Sequence, residues 1–163
     1  MAAKQKIQNH CAHDEMQPLD SLRPHPRNPN KHSKTQIELL AKIIGSQGWR
    51  APIVVSKRSG FIVAGHARRE AATLLQLDTV PVSLQAFKNE REEKAHLIAD
   101  NRIAELATID TASLKDLILE LDTGALDMDL TGYDADALAS LMEELDGPPE
   151  ARVNECPQCG HKF

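Results

Sequence analysis

Residues 62–82 read IVAGHARREAATLLQLDTVPV, and the parsing of this stretch decides the fold around it. Ile62, Val63 and Ala64 are apolar and strand-forming. Gly65 interrupts them, and Ala71, Ala72, Leu74 and Leu75 then recur at helical spacing until Leu77-Asp78 breaks the run. Val80-Pro81-Val82 supplies a further strand. The unit is therefore strand, glycine turn, helix, strand. Such a turn needs its glycine but has no need of Arg68 and Arg69 directly behind it. Positive charge in a first helical turn opposes the helix dipole by about 0.3–1 kcal/mol. Two readings follow: the arginines are a solvated first turn, or an anion docks on the N–H groups of Gly65, His66 and Ala67, with Arg68 as a bidentate partner. Ala71 and Ala72 are small enough to let the helix lie close to its sheet, as a phosphate site of this kind requires. His66 serves either as a plain polar residue or as a phosphate donor or proton-transfer group.

Working outward, PIVVSK (52–57) and FIVA (61–64) flank RSG and predict a hairpin turned at Gly60. Ser33 and Gln36 form a capping-box pattern, after which Ile37, Leu40, Ala41 and Ile44 predict a helix ending at Gly48. Asn89 with Glu92 opens a third helix through about Leu106. Asp110 or Thr111 caps a fourth, with Leu114, Leu117, Ile118 and Leu121 on one stripe, and a last helix covers about 134–145. The expected divisions are a flexible segment over 1–18, an α+β domain over 19–108, an acidic helical region over 109–146, and a linker with a small tail over 147–163.

The 163 residues leave room for one main domain with a moderate core. No stretch has the apolar length of a membrane span or a signal peptide, so a cytoplasmic protein without a membrane partner is expected. The net charge of −5 conceals a division: residues 20–70 hold ten Lys/Arg against three Asp/Glu, and residues 105–150 hold one against thirteen. The first region is a candidate anion site, while the second repels nucleic acid and argues against a chain-wide DNA clamp. Trp49 and Tyr133 are single, so a base-stacking platform is not expected.

Three ordered motifs resemble one family. VAGHARREAATLLQLDTVPV (63–82) resembles the G-[E/H]-x-R-x-x-A helix and flanking strands of the ParB N-terminal domain, whose fold is shared with sulfiredoxin. LRPHPRNPNKHS (22–33) resembles that family's first box, and LIADNRIAELATID (97–110) its third. The resemblance spans about residues 20–110 and implies a small mixed sheet with packed helices. It also implies binding of a nucleotide, CTP among the candidates, with Mg²⁺ at the triphosphate. Carried over by position, it points to Gly65, Arg68 and Ala71 in the central box, Asn28 in the first, and Asn101 and Arg102 in the third. Ala67 stands where those proteins have their first arginine, leaving Arg69 as a candidate replacement, and His66 stands in place of a glutamate. Because sulfiredoxin chemistry needs a cysteine at the position of His66, that reaction is excluded. Arg23, Arg27, Asn28 and Lys31 either close the site from the rigid loop or simply build turns.

In the tail, Cys156-Pro157-Gln158-Cys159 has the turn of a zinc knuckle, with His161 as a third local ligand. A fourth ligand must then come from elsewhere, with His10, Cys11 and His13 as candidates. The alternative is a metal-free reactive pair. The resemblance further implies a DNA-related role in partition, phage biology or DNA modification, with DNA contacted directly or through a partner protein and a homodimer left open. A non-catalytic adaptor and a ParB-like nuclease are the alternatives to the nucleotide-binding reading. No basic recognition helix is visible between residues 105 and 150.

Overall fold

The computed structural model describes residues 7–133 and 135–145, with side chains as far as Met142. The chain divides into two compact units. One runs to Thr108 and takes in Asp129–Gly132, and the other comprises Ile109–Met128 and the chain from Tyr133 onward.

The first unit holds a five-stranded mixed sheet: β1 (Glu15–Pro18), β2 (Arg23–Pro24), β3 (Ile53–Ser56), β4 (Phe61–Ala64) and β5 (Thr79–Gln85), in the order β1-β5-β3-β4-β2. β3 and β4 form the expected antiparallel hairpin. Gly60 takes φ +71° at its turn and donates its N–H to the Ser56 carbonyl at 2.8 Å. β5 joins β3 in parallel after a crossover through α2 (His66–Leu74). One face buries Ile53, Val55, Ile62, Val80 and Val82 against Ile37, Ala41 and Ile44 of α1 (Lys34–Gln47), Trp49, and Ala71 and Ala72 of α2. The two alanines are fully buried, so α2 rides directly on the sheet and its first turn is fixed at the end of β4.

Local chemistry accounts for the helix boundaries. Ser33 Oγ accepts from the Gln36 N–H at 3.1 Å, although the Gln36 side chain meets His32 Nδ1 rather than closing the box. Gly48 ends α1 at φ +76°, where Gln8 and His10 leave no room for a Cβ. Asn89 caps α3 (Glu90–Glu105) through the Glu92 N–H, and α3 packs on β4 with Leu97 and Glu93 buried. In the second unit Asp110 caps α4 (Thr111–Leu121), and α5 (Ala135–Leu145) packs on α4.

Two expectations are corrected. Of the segment expected to be flexible over 1–18, residues 7–18 are built into the fold. Asn9 bridges to Trp49, and β1 pairs antiparallel with β5 from Glu15↔Val82 to Pro18↔Thr79. The open edge of β5 supplies the partners that EMQP, with no apolar alternation of its own, gave no hint of. On α4 the anticipated stripe is only partly covered: Ile118 is buried, whereas Leu117 and Leu121 are exposed.

Candidate functional site

Gly65 sits between β4 and α2 at φ +88°, a left-handed conformation that strains any residue with a Cβ. A Cβ here would also displace the arginine, since it would lie 2.7 Å from Arg68 Nη1. Arg68 folds back over this gap, and its Nη1 donates to the Pro52 carbonyl at 2.7 Å. Burial lowers the pKa of this guanidinium and Asp100 opposes the shift, but a guanidinium stays charged in a protein regardless. A fixed cation therefore stands beside a helix start that no side chain caps, and whose first N–H groups have no intrahelical acceptor.

Around this point lies a cavity of about 260 Å³. Its walls bring together Asn28, Gly65, His66, Arg68 and Asn101, five residues singled out from the sequence, together with His32 and with Asp100, the acidic residue of the third box. Asn28 is spent on its own turn, with Nδ2 donating to the Asn30 carbonyl and Oδ1 accepting from the Asn30 N–H, so it shapes the loop wall. Asn101 Nδ2 donates to the Leu97 carbonyl at 3.2 Å, which leaves Oδ1 and the second Nδ2 proton. The loop candidates Arg23, Arg27 and Lys31 are not among its walls, and Arg69 and Arg102 also fall outside it. Arg69 Nε donates to the Leu22 carbonyl at 3.0 Å and its side chain lines a separate groove between α1 and α2, while Arg102 pairs with Glu105 on the exposed side of α3.

His66 is buried, and its Nε2 accepts the backbone N–H of His25 at 3.3 Å. Burial, helped by His25, His32 and Arg69, pulls its pKa down to about 4 against the opposing charge of Asp100, so the ring is neutral at physiological pH. His25 leads to a second layer. Its Nδ1 accepts the Arg27 N–H at 3.1 Å, which places the ring proton on Nε2, 3.7 Å from Glu93 Oε1. Glu93 Oε2 accepts from Ser56 Oγ at 2.5 Å and from Arg58 Nε at 3.1 Å. Burial is the largest influence on Glu93 and would raise its pKa, but hydrogen bonds from Ser56, Ser59 and Arg58 outweigh it and hold the carboxyl below its ordinary value. Sequence reasoning missed this network of His25, Ser56, Arg58 and Glu93. The signal was present: Glu93, Leu97 and Asp100 recur at i, i+4 and i+7, so one face of α3 carries two carboxylates around a core leucine.

For a divalent ion, the cavity offers the Asp100 carboxylate and Asn101 Oδ1. These are hard oxygens of the kind that hold Mg²⁺ jointly with substrate phosphates. Among the described residues no three His, Cys, Asp or Glu side chains converge to hold a metal. Cys11 Sγ donates to Asn9 Oδ1 at 3.1 Å, and burial raises its pKa, so it is a poor thiolate donor. Cys156, Cys159 and His161 lie outside the described residues.

Comparison with known proteins identifies the family. The family model described as the ParB N-terminal domain matches residues 2–101. The chain belongs to the ParB N-terminal domain family. Its α+β architecture is that of the ParB N-terminal domain. This ParB-type chain is 36% identical over 78 residues to the ParB-like nuclease domain-containing protein YnaK of Escherichia coli, covering 47% of this chain and 88% of that protein. It is 27% identical over 138 residues to the chromosome-partitioning protein Spo0J of Thermus thermophilus, covering 82% of this chain and about half (51%) of the relative. Among solved structures, the C-terminally truncated ParB of Caulobacter crescentus complexed with CTP-gamma-S superposes with a TM-score of 0.65 at 22% identity, covering 83% of this chain and 80% of that one. No helix among the described residues is long and apolar enough to cross a membrane.

Proposed function

We propose that this ParB-family domain binds the phosphates of a nucleotide, with CTP the first candidate, and that it acts in a DNA-associated process. The observation that carries this reading is the cavity at the start of α2, where uncapped helix N–H groups, the Arg68 guanidinium and the neutral His66 ring converge. At about 260 Å³ it suits the phosphate end of a nucleotide better than a whole one. Asp100 and Asn101 Oδ1 would hold Mg²⁺, which supplies charge neutralisation at a triphosphate. The ligand carried by the Caulobacter ParB structure and the partition role named for the Thermus relative support the same reading.

Calorimetric titration of the chain with each of the four NTPs in Mg²⁺ tests it. At least one NTP is expected to bind, and Arg68→Ala to weaken binding about 10- to 100-fold through loss of a charge-assisted contact. Arg68→Lys keeps the charge and separates that loss from misfolding. Binding by none of the four would reject the reading. The name of the Escherichia coli relative favours a nuclease as the second reading, and Arg68-dependent nicking of supercoiled plasmid would transfer the cavity to it. The exposed Leu117, Leu119 and Leu121 of α4 favour an adaptor role for the second unit. For the tail, the C-x-x-C spacing with His161 supports a zinc knuckle completed by one further ligand.

A further inference from the structure

His66 carries an inference that deepens the phosphate reading and rests on it. The residue is only 8% exposed, yet it lines the cavity, and its one hydrogen bond is the amide of His25 donating to Nε2 at 3.3 Å. A backbone N–H can only donate, so Nε2 must be the unprotonated nitrogen, and in a neutral ring the proton then sits on Nδ1. Nδ1 has no partner among the described residues and is not sealed in the core, so its acceptor is whatever enters the cavity that His66 lines, water or a ligand oxygen.

We propose that His66 is a specificity-determining residue of the cavity: with Nε2 held by the His25 amide, it presents Nδ1–H to a phosphoryl oxygen of the ligand. The tautomer is locked by the main chain, so at this point the site favours groups that can accept a hydrogen bond, ionised phosphoryl oxygens above all, and disfavours groups that can only donate. With Nε2 occupied and Nδ1 protonated, the ring has no free lone pair and does not serve as a general base. The charged and titratable groups facing it are His25 and His32 from the loop before α1, Arg69 from its own helix and Asp100 from α3. Burial together with the first three keeps it neutral, and only Asp100 pulls the other way. A glutamate at this position would offer the ligand only acceptors, so the histidine reverses the polarity of this wall.

Two measurements on the full chain test the assignment. Long-range proton–nitrogen spectra at pH 7, with the His66 signals identified by their loss in His66→Asn, are expected to show the Nδ1–H tautomer. An Nε2–H tautomer or an imidazolium overturns the proposal. The second measurement is titration with inorganic triphosphate and with CTP in Mg²⁺, with melting followed for every variant. His66→Ala is expected to lose at least about tenfold in affinity. His66→Asn, whose amide nitrogen takes the place of Nδ1, is expected to recover most of that loss, and His66→Gln, whose amide sits nearer Nε2, to recover little. Equal losses in the Asn and Gln variants overturn the role of His66 while leaving the pocket in place. A wild-type chain that binds neither phosphate removes the pocket reading, and this inference with it.

Discussion

Gly65 and Arg68 depend on each other. The glycine provides both the left-handed turn and the space into which the guanidinium folds, and the guanidinium is fixed by the Pro52 carbonyl. Gly65→Ala should therefore damage two properties at once. A Cβ at φ +88° costs about 1–2 kcal/mol of stability, visible as a lower melting temperature. It also pushes Arg68 off Pro52, and NTP affinity should fall about tenfold or more. A Gly65→Ala chain with wild-type affinity would show that Arg68 does not depend on this geometry. At this scale the sequence was most readable where a residue's type dictates its local backbone geometry or capping: Gly65, Ser33, Asn89 and Asp110 all behave as their types suggest. It was least readable for Arg68 against Arg69. Neighbours on a helix point about 100° apart, and the turn at Leu22 that captures Arg69 is more than forty residues away in sequence.

Among the elements, α3 does the most to join parts of the first unit. Its buried Glu93 ties together β3 through Ser56, the hairpin through Arg58 and the first loop through His25, and its last turns bring Asp100 and Asn101 to the cavity. This predicts two separate acid limbs in stability. Glu93 titrates lower in the folded chain than its ordinary 4.5, so its contribution is complete above that pH and is lost as pH falls through the lower folded value. His66 titrates at about 4 when folded and near 6.5 when unfolded. The unfolded chain therefore binds the extra proton, and stability falls from pH 6.5 towards 4 by up to about 3 kcal/mol. Urea denaturation across pH 3–8 should show the higher limb disappear in His66→Asn and the lower one flatten in Glu93→Gln. Unchanged profiles in both variants would contradict these assignments. Elements with internal signals were legible, as the capped helices and the β3–β4 hairpin show. β1 was not, because it exists only by pairing with the edge of β5, a tertiary event with no periodicity in Glu15–Pro18 to announce it.

Across the whole molecule, charge and cysteine usage separate along the chain. The basic residues concentrate between 20 and 70, and the acidic ones gather between 105 and 150, so a nucleic-acid contact would be expected to avoid the second region. The tail adds a separate test. Elemental analysis of the purified chain should find about one zinc per protein, lost in Cys156→Ser, and a zinc-free chain from metal-supplemented growth would return the cysteines to the reactive-pair reading.

The first unit is also discontinuous: Lys42 pairs with Asp129, and Gln47 Nε2 donates to the Leu130 carbonyl at 3.1 Å, across more than eighty residues. During synthesis these anchors arrive late. A nascent chain whose emerged portion stops at Thr108 would expose the α1 groups that this strap engages, and one extended past Gly132 would shield them. The second unit's first helix must therefore clear the ribosomal exit tunnel before the first unit is complete.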